Sequence, residues 1–255
     1  MIEEAMINAN VCAARFIENA EQCSLYRVHA VPDPIKLEEL GLDLRGVGLS
    51  LPKGVPQPIV FKRLLDELGQ RSNGWLYQQL ILRSMQQAVY TPKNQGHFGL
   101  GLERYMHFTS PIRRYPDLLV HRAIKAILRG DLSRLPGLDQ LEDFGERCSS
   151  LERRAESAGW TVEAWLKCDL LKHRTGDTFS GTIAGVTEFG LFVDIEGYFV
   201  QGLLHISDLG ADYFRFERAQ QCLVGERNGK RYGLGDRIQV LVANVEPAQG
   251  KIDLR

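Results

Sequence analysis

The stretch TSPIRRYPD, residues 109–117, is the part of the sequence around which the rest is organised. Pro111 and Pro116 bracket a short rigid segment, because each proline fixes its own φ and biases the residue before it toward extended geometry. Pro116 suits the first position of a helix, and residues 118–128 keep helical apolar spacing until Gly130. The pattern predicts a stiff turn that presents two arginines beside a helix N-terminus, where an anion can bind. A charged loop on a solvated surface is the alternative.

The residues around this turn resemble the signature of the ribonuclease II/R (RNB) family of 3′→5′ exoribonucleases. The segments that carry the resemblance are HFGL at 97–100, Tyr105, FTSPIRRY at 108–115, Asp117 and His121. The resemblance implies the helix-rich C-terminal part of an RNB catalytic domain. His97 taken alone is a neutral core histidine, since no cysteine or carboxylate lies at metal-ligand spacing from it.

The resemblance also implies roles for individual residues in RNA hydrolysis. We expect Arg113 to be the catalytic phosphate clamp, which stabilises the charge that develops at the scissile phosphate. Arg114 and Tyr115 would support it or contact an adjacent phosphate. In the family a glutamate of the first helix lies near the RNA ribose, so Glu3 or Glu4 would accept a 2′-hydroxyl hydrogen bond. Ordinary surface charges are the alternative for both glutamates.

Helical periodicity dominates the first two thirds of the chain. It predicts an amphipathic helix over 1–20 and further helices near 59–68 and 75–88. The longest predicted helix, at 141–165, repeats its apolar residues every 3.5 positions. We expect this stripe to pack against its own domain, with coiled-coil dimerisation as the alternative.

The pattern changes from helical to alternating near residue 175, and we place a domain boundary between 1–174 and 175–255. Five short strands with glycine-marked turns then suit a five-stranded OB barrel, so the predicted fold class is α+β. The predicted strands are 179–186, 189–195, 198–206, 235–243 and 251–254.

The segments FGLFV at 189–193 and GLLHIS at 202–207 closely resemble the S1-type RNA-binding domain. Phe189 and Phe192 would point to opposite faces of a regular strand, but a bulge or sharp twist at Gly190 would bring both outward, where bases could stack on them. The resemblance places these two rings and His205 on the binding face. Burial of both rings in the barrel core is the alternative.

Residues 210–234 look like an insertion that carries several aromatic and basic residues. It could extend an RNA surface, cover the barrel or dock on the neighbouring domain. From residue 176 to 255 there are 8 Lys+Arg and 11 Asp+Glu, which gives a net charge of −3. Stacking and a localised groove would therefore carry RNA binding more than bulk charge does.

Composition sets broader limits. A chain of 255 residues with 44% hydrophobic content can bury a full core, and its net charge of −1 means that any nucleic-acid site is a local patch. Five cysteines without metal-ligand spacing predict reduced, mostly buried thiols in a cytoplasmic protein. No apolar run approaches the ~20 residues that a membrane span needs.

Family members hydrolyse RNA with Mg²⁺ held by a clustered set of aspartates, and this sequence has no such cluster. Together with an uncapped first helix, this predicts a C-terminal part of an enzyme that degrades single-stranded RNA processively to nucleoside 5′-monophosphates. The part alone is expected to be inactive, with no metal ligands of its own. A non-enzymatic RNA-binding or adaptor protein is the competing class. The RNA targets and any ribosome or RNA-decay partner of the parent protein stay open.

Overall fold

The computed structural model describes residues 1–46, 48–52, 57–71 and 73–255, which form two compact units. The first unit comprises Met1–Asp33, Lys53–Lys62 and Met85–Glu156. The second comprises Pro34–Pro52, Arg63–Ser84 and Ser157–Arg255. The sequence pattern changes near residue 175, and the domain boundary that we place there stays a prediction.

Helices dominate the chain before residue 172. The helices and the two short strands among them are α1 Ile2–Asn19, β1 Tyr26–Val28, α2 Pro34–Arg45, α3 Pro58–Gly69, α4 Gly74–Ser84, β2 Val89–Thr91, α5 Tyr115–Arg129 and α6 Leu138–Leu171. In the first unit, β1 and β2 pair antiparallel, and α1 packs on α5 through small residues such as Ala14 and Ala123. This packing brings the start of α5, where the arginine turn lies, next to α1.

Five strands of the second unit close into a barrel, as the alternating pattern predicts. They are β3 Thr178–Thr187, β4 Gly190–Ile195, β5 Val200–His205, β9 Arg237–Glu246 and β10 Lys251–Leu254, in the order β10-β5-β4-β3-β9. Neighbouring strands are antiparallel except β5 and β10, whose parallel pairing closes the barrel. The helix-rich region followed by an OB-type barrel confirms the predicted fold class.

The insertion between β5 and β9 covers the barrel. It forms a separate antiparallel sheet of β6 Phe214–Glu217, β7 Cys222–Gly225 and β8 Arg231–Gly233. Leu223 and Tyr232 from this sheet join the barrel core. The insertion also contacts α2 within the same unit, because Gln221 Nε2 donates to Asp43 Oδ1 at 2.7 Å.

Of the apolar stripe predicted at 141–165, only the first part is buried in α6. Leu141 is 1% exposed, whereas Leu151, Val162 and Trp165 are 49%, 58% and 48% exposed. The prediction that the whole stripe packs against its own domain is therefore wrong beyond the first turns. A 3.5-residue repeat specifies one helix face, but it does not specify what covers that face.

The cysteines also depart from the prediction. All five are free thiols, but only Cys168 and Cys222 are buried, and Cys12 and Cys23 are exposed. No helix in the described ranges combines the length and apolar character that crossing a bilayer requires.

Candidate nucleic-acid interface

The arginine turn lies immediately before α5 and is closed by its own backbone. The Ser110 carbonyl accepts hydrogen bonds from the backbone N–H groups of Arg113 at 3.3 Å and Arg114 at 3.1 Å. Arg114 is extended at the N-cap of α5, and Pro116 is the second helical residue, one position later than predicted. Arg113 is exposed, and its guanidinium forms no hydrogen bond or ion pair with any described residue. The turn therefore presents one uncommitted guanidinium to solvent.

A buried carboxylate locks this turn from inside. Asp117 is fully buried, and its Oδ1 accepts hydrogen bonds from the backbone N–H of Ser110 and from Arg114 Nη2, each at 2.8 Å. The two arginines thus have different surroundings, because Arg114 is paired and Arg113 is not. Three buried polar atoms beside this pair have no partner among the described residues: Thr109 Oγ1, Arg114 Nε and Asp117 Oδ2.

Asn10 of α1 holds the segment that leads into the turn, a role that sequence reasoning missed. Its Oδ1 accepts hydrogen bonds from the backbone N–H groups of Phe108 at 2.9 Å and Thr109 at 3.3 Å. Its Nδ2 donates to the Tyr105 hydroxyl at 2.9 Å. The His121 ring stacks on Phe108 with centroids 4.1 Å apart. An asparagine within an otherwise apolar helix face is the one sequence signal that could have indicated these hydrogen bonds to residues 105–109.

Glu3 and Glu4 both lie in the exposed first turn of α1. Glu3 precedes Asn10 by two helical turns, about 10 Å of helix, and therefore shares its face. Glu4 is rotated by a further 100° from that face. The helix geometry thus favours Glu3 as the glutamate on the side of the arginine turn.

A layer of polar side chains, of which Tyr90 is buried and the others are half-buried, lies beside the arginine turn. Arg27 Nη1 pairs with Glu152 Oε2 at 2.6 Å, and the Arg27 guanidinium lies 4.6 Å from the centre of the Tyr90 ring. The Tyr90 hydroxyl and His107 Nδ1 form a hydrogen bond at 2.9 Å. Burial, with the nearby charges of Arg114 and Arg27, lowers the pKa of His107 to about 3. Burial also raises the pKa of Tyr90 to about 12, so both rings are neutral at pH 7.

His97 and His29 form a second neutral pair in the first unit. Their rings stack with centroids 5.2 Å apart. His29 Nδ1 accepts from the backbone N–H of Gly99 at 2.9 Å, and His97 Nδ1 accepts from that of Leu100 at 3.2 Å. Burial is the main cause that lowers both pKa values, that of His97 to about 4. His97 is thus a satisfied, neutral histidine.

In the second unit, Phe189 and Phe192 lie outside the buried barrel core. Phe189 is 49% exposed, and the two rings meet edge to face with centroids 6.0 Å apart. Gly190 between them has φ 155°, and a Cβ there would lie 2.4 Å from the Leu204 carbonyl oxygen. Gly190 therefore permits the close approach of β4 to β5, and Phe189 lies in the turn just before it, whereas Phe192 is half-buried within β4. The bulge itself lies opposite, in β3 between Ile183 and Gly185.

His205 lies directly across the strand pair from Gly190, so it neighbours the phenylalanine pair. Its ring is exposed, and Nδ1 lies 2.8 Å from Ser207 Oγ. His205 also lines a cleft of about 650 Å³. One wall of this cleft is the ion pair between Asp208 and Arg255, at 3.1 Å. The barrel thus combines an exposed ring with a cleft of mixed polar and apolar lining, and proteins use such features to stack bases and to contact the backbone of single strands.

The side chains in the described ranges do not form a site for a divalent metal ion. No three or more His, Cys, Asp or Glu residues converge on one point in those ranges. A Mg²⁺ site needs converging carboxylates, so the described residues do not fit this ion.

Two family models match the chain: the RNB domain at residues 1–130 and the S1 RNA binding domain at residues 172–255. Ribonuclease R of Escherichia coli (strain K12) is 44% identical over 264 residues, which cover 99% of this chain and 32% of that protein. The chain therefore spans about a third of the length of this relative.

Solved structures give the same result. The apo form of Mycoplasma genitalium RNase R is 28% identical with a TM-score of 0.88, and the match covers 99% of this chain and 40% of that one. The same enzyme in complex with ribose methylated single-stranded RNA is similar at a TM-score of 0.87, with 28% identity and the same coverage. This chain belongs to the RNB family and resembles the ribonuclease R part that joins the RNB domain to an S1 RNA-binding domain.

Proposed function

We propose that this chain holds single-stranded RNA for a 3′→5′ exoribonuclease that releases nucleoside 5′-monophosphates processively. The observation that carries the proposal is the exposed, unpaired Arg113 on a turn locked by the buried Asp117. A guanidinium that projects from a locked turn, without a competing carboxylate among the described residues, is available to bind a phosphate through two parallel hydrogen bonds. The RNA complex of the M. genitalium enzyme supports RNA as the ligand.

The residues of the first unit have distinct roles in this proposal. Arg113 contacts the scissile phosphate and stabilises the charge that develops on it. Arg114 is a positioning residue, because its guanidinium is committed to Asp117. Tyr115 is 43% exposed next to Arg113 and contacts the adjacent nucleotide. Glu3 accepts a hydrogen bond from a ribose 2′-hydroxyl, the group that distinguishes RNA from DNA.

The barrel provides a second, separate contact with the same ligand class. Phe189 and Phe192 stack on bases, and His205 contacts the adjoining backbone or base. Base stacking tolerates any sequence, since every base has a π face. This suits an enzyme that degrades RNA without regard to its sequence.

Hydrolysis in this proposal needs Mg²⁺ and the aspartates that hold it in the family. When held by those aspartates, Mg²⁺ would supply Lewis-acid stabilisation of the phosphate charge. The described residues of this chain hold RNA but do not supply a set that fits the ion. We therefore propose that the 255-residue chain binds RNA without shortening it. The competing hypothesis is an RNA-binding protein without nuclease function. It expects the same behaviour of this chain, and the two hypotheses differ only in whether the parent protein hydrolyses RNA.

A 5′-labelled single-stranded RNA incubated with the purified chain and millimolar Mg²⁺ tests the proposal. Filter binding should show a complex, and a denaturing gel should show full-length RNA after incubation. A ladder of shortened products that persists through rigorous repurification would show that the chain is itself a nuclease. Failure to form any complex would show that the RNA-holding role is wrong.

A further inference from the structure

The exposed face of α5 carries only positive charge. Arg122, Lys125 and Arg129 are all exposed, and we call these three residues the basic stripe. The one acidic residue of α5 is Asp117, which is buried and already engaged by Arg114. For a chain of net charge −1, a helix face with three cations and no anion is a marked local excess.

The stripe is continuous with the arginine turn. Its residues are three and four positions apart, so their side chains lie along one side of the helix. Tyr115 precedes Arg122 by two turns on the same side, and the Arg122 guanidinium lies 6.0 Å from the Tyr115 ring centre. The 15 residues of α5 span about 22 Å. Successive nucleotides of a stacked strand advance about 3.4 Å, so this length matches several nucleotides.

The three cations have no carboxylate partner in the part of the chain that the structure describes. Asp131 follows Arg129 closely but accepts from Arg134 Nε at 2.6 Å and from Ser133 Oγ at 2.8 Å. Arg129 also lies in the last turn of α5, where a cation favours the helix dipole. That effect accounts for Arg129, but it does not account for Arg122 or Lys125.

The basic residues of α6 provide a contrast. Arg147, Arg153 and Arg154 are also exposed, but Glu146 and Glu156 are interspersed among them. Mixed signs on one face are typical of a solvated helix surface. The α5 face lacks this mixture, so it has a charge pattern that complements a polyanion.

We propose that the basic stripe binds the phosphodiester backbone of an RNA strand that continues from Arg113 along α5. The inference rests on the proposed function and extends it by naming a path for several further nucleotides. Contacts to phosphates are independent of base sequence, and each one releases condensed counterions. Affinity should therefore depend on RNA length and on salt concentration through these three residues.

The test compares the intact chain with two triple variants of equal net charge. The stripe variant is R122Q/K125Q/R129Q, and the matched control is R147Q/R153Q/R154Q on α6. The ligand is a single-stranded RNA of about ten nucleotides, which at 3.4 Å each exceeds the length of α5. Dissociation constants are measured over a series of salt concentrations, with circular dichroism and thermal melts of each protein.

The stripe variant should lower the slope of log affinity against log salt by about 2, because each phosphate contact on a single strand contributes about 0.7. At 0.1 M salt this equals a loss of about 5-fold in affinity per contact. The control should change the slope much less. An RNA too short to reach past Tyr115 should bind both variants equally well.

Four results would overturn the proposal, and one of them concerns the proposed function. No binding of RNA by the intact chain would remove the proposed function and the stripe with it. If the stripe variant and the α6 control lose equal RNA affinity, only the net charge of the chain matters for binding. The proposed RNA-holding function would then stand, but the basic stripe would not be the binding path. Polyglutamate of matched charge competing as well as RNA would show a general polyanion surface. If the triple variant unfolds, the single variants Lys125→Gln and Lys125→Arg are compared instead. Lys125→Arg should keep the RNA affinity of the intact chain, and Lys125→Gln should lose part of it. Equal RNA affinity of the two variants would overturn the proposal that the basic stripe binds RNA.

Discussion

Replacing Asp117 by asparagine should show how far one buried carboxylate organises the arginine turn. The substitution preserves shape but removes the charge that accepts from the Ser110 N–H and from Arg114 Nη2. Asp117 is 0% exposed and the Arg114 side chain is 22% exposed. The variant would therefore leave a largely buried guanidinium without its counter-charge.

The structure sets the size of the effect. Breaking a buried ion pair by removing one partner costs about 3–5 kcal/mol. The asparagine keeps one acceptor oxygen, and the partial exposure of Arg114 admits some water. We therefore expect Asp117→Asn to lower the free energy of unfolding by about 2–4 kcal/mol. RNA affinity should fall as well, because the backbone that carries Arg113 loses its anchor at Ser110.

The chain supplies a matched control just beyond the other end of α5. Asp131 pairs with Arg134 at 2.6 Å with the same three-residue spacing, but the two side chains are 39% and 76% exposed. An exposed pair contributes about 1 kcal/mol or less, so Asp131→Asn should scarcely change stability or RNA binding. The two pairs share chemistry and spacing, and they differ chiefly in burial.

Urea denaturation followed by circular dichroism measures both variants, together with the double variant Arg114→Gln/Asp117→Asn. Removing both members of the buried pair should destabilise the chain by less than the sum of the single changes, with a coupling of about 0.5–3 kcal/mol. If Asp117→Asn costs no more than Asp131→Asn and leaves RNA affinity intact, the carboxylate does not organise the turn.

Three further predictions concern the barrel, the clamp and pH. The Phe189→Ala/Phe192→Ala variant should lose about 1–3 kcal/mol of RNA-binding free energy per base stack, with an unchanged melting temperature. The control Phe199→Ala removes a ring that is 92% exposed and should bind RNA normally. A large fall in the melting temperature of the double variant would show that the two rings belong to the barrel core. In an enzyme that also contains the metal-binding aspartates, Arg113→Lys should reduce turnover by a factor of about 10²–10³ and largely keep the RNA affinity. A loss of RNA affinity with unchanged turnover would show that Arg113 only positions the RNA. His107 and His97 have pKa values of about 3 and about 4 in the folded chain, so both take up protons more readily when the chain is unfolded. The free energy of unfolding should therefore fall as the pH drops below about 6.5, by up to about 1.4 kcal/mol per pH unit for each histidine. A urea midpoint that does not change between pH 7 and pH 4.5 would contradict the burial of these rings.

The sequence predicted the parts of the molecule that local rules control. The prolines and Gly130 delimit the arginine turn and α5, because proline restricts φ and glycine accepts the left-handed conformation at φ 67°. Alternating residues located the five barrel strands, because a half-buried strand must present every second side chain to the core.

Tertiary structure alone decided which of these local features became a site. Asn10 contacts Tyr105 across 95 positions, and Arg27 pairs with Glu152 across 125, separations at which no local pattern carries information. The same long-range packing commits Arg114 to a buried carboxylate while it leaves Arg113 exposed, and it keeps His107 neutral. It also leaves the later α6 stripe exposed, although its repeat resembles that of a buried helix. Periodicity fixes which residues share a face, but burial and charge compensation depend on what the folded chain brings to that face.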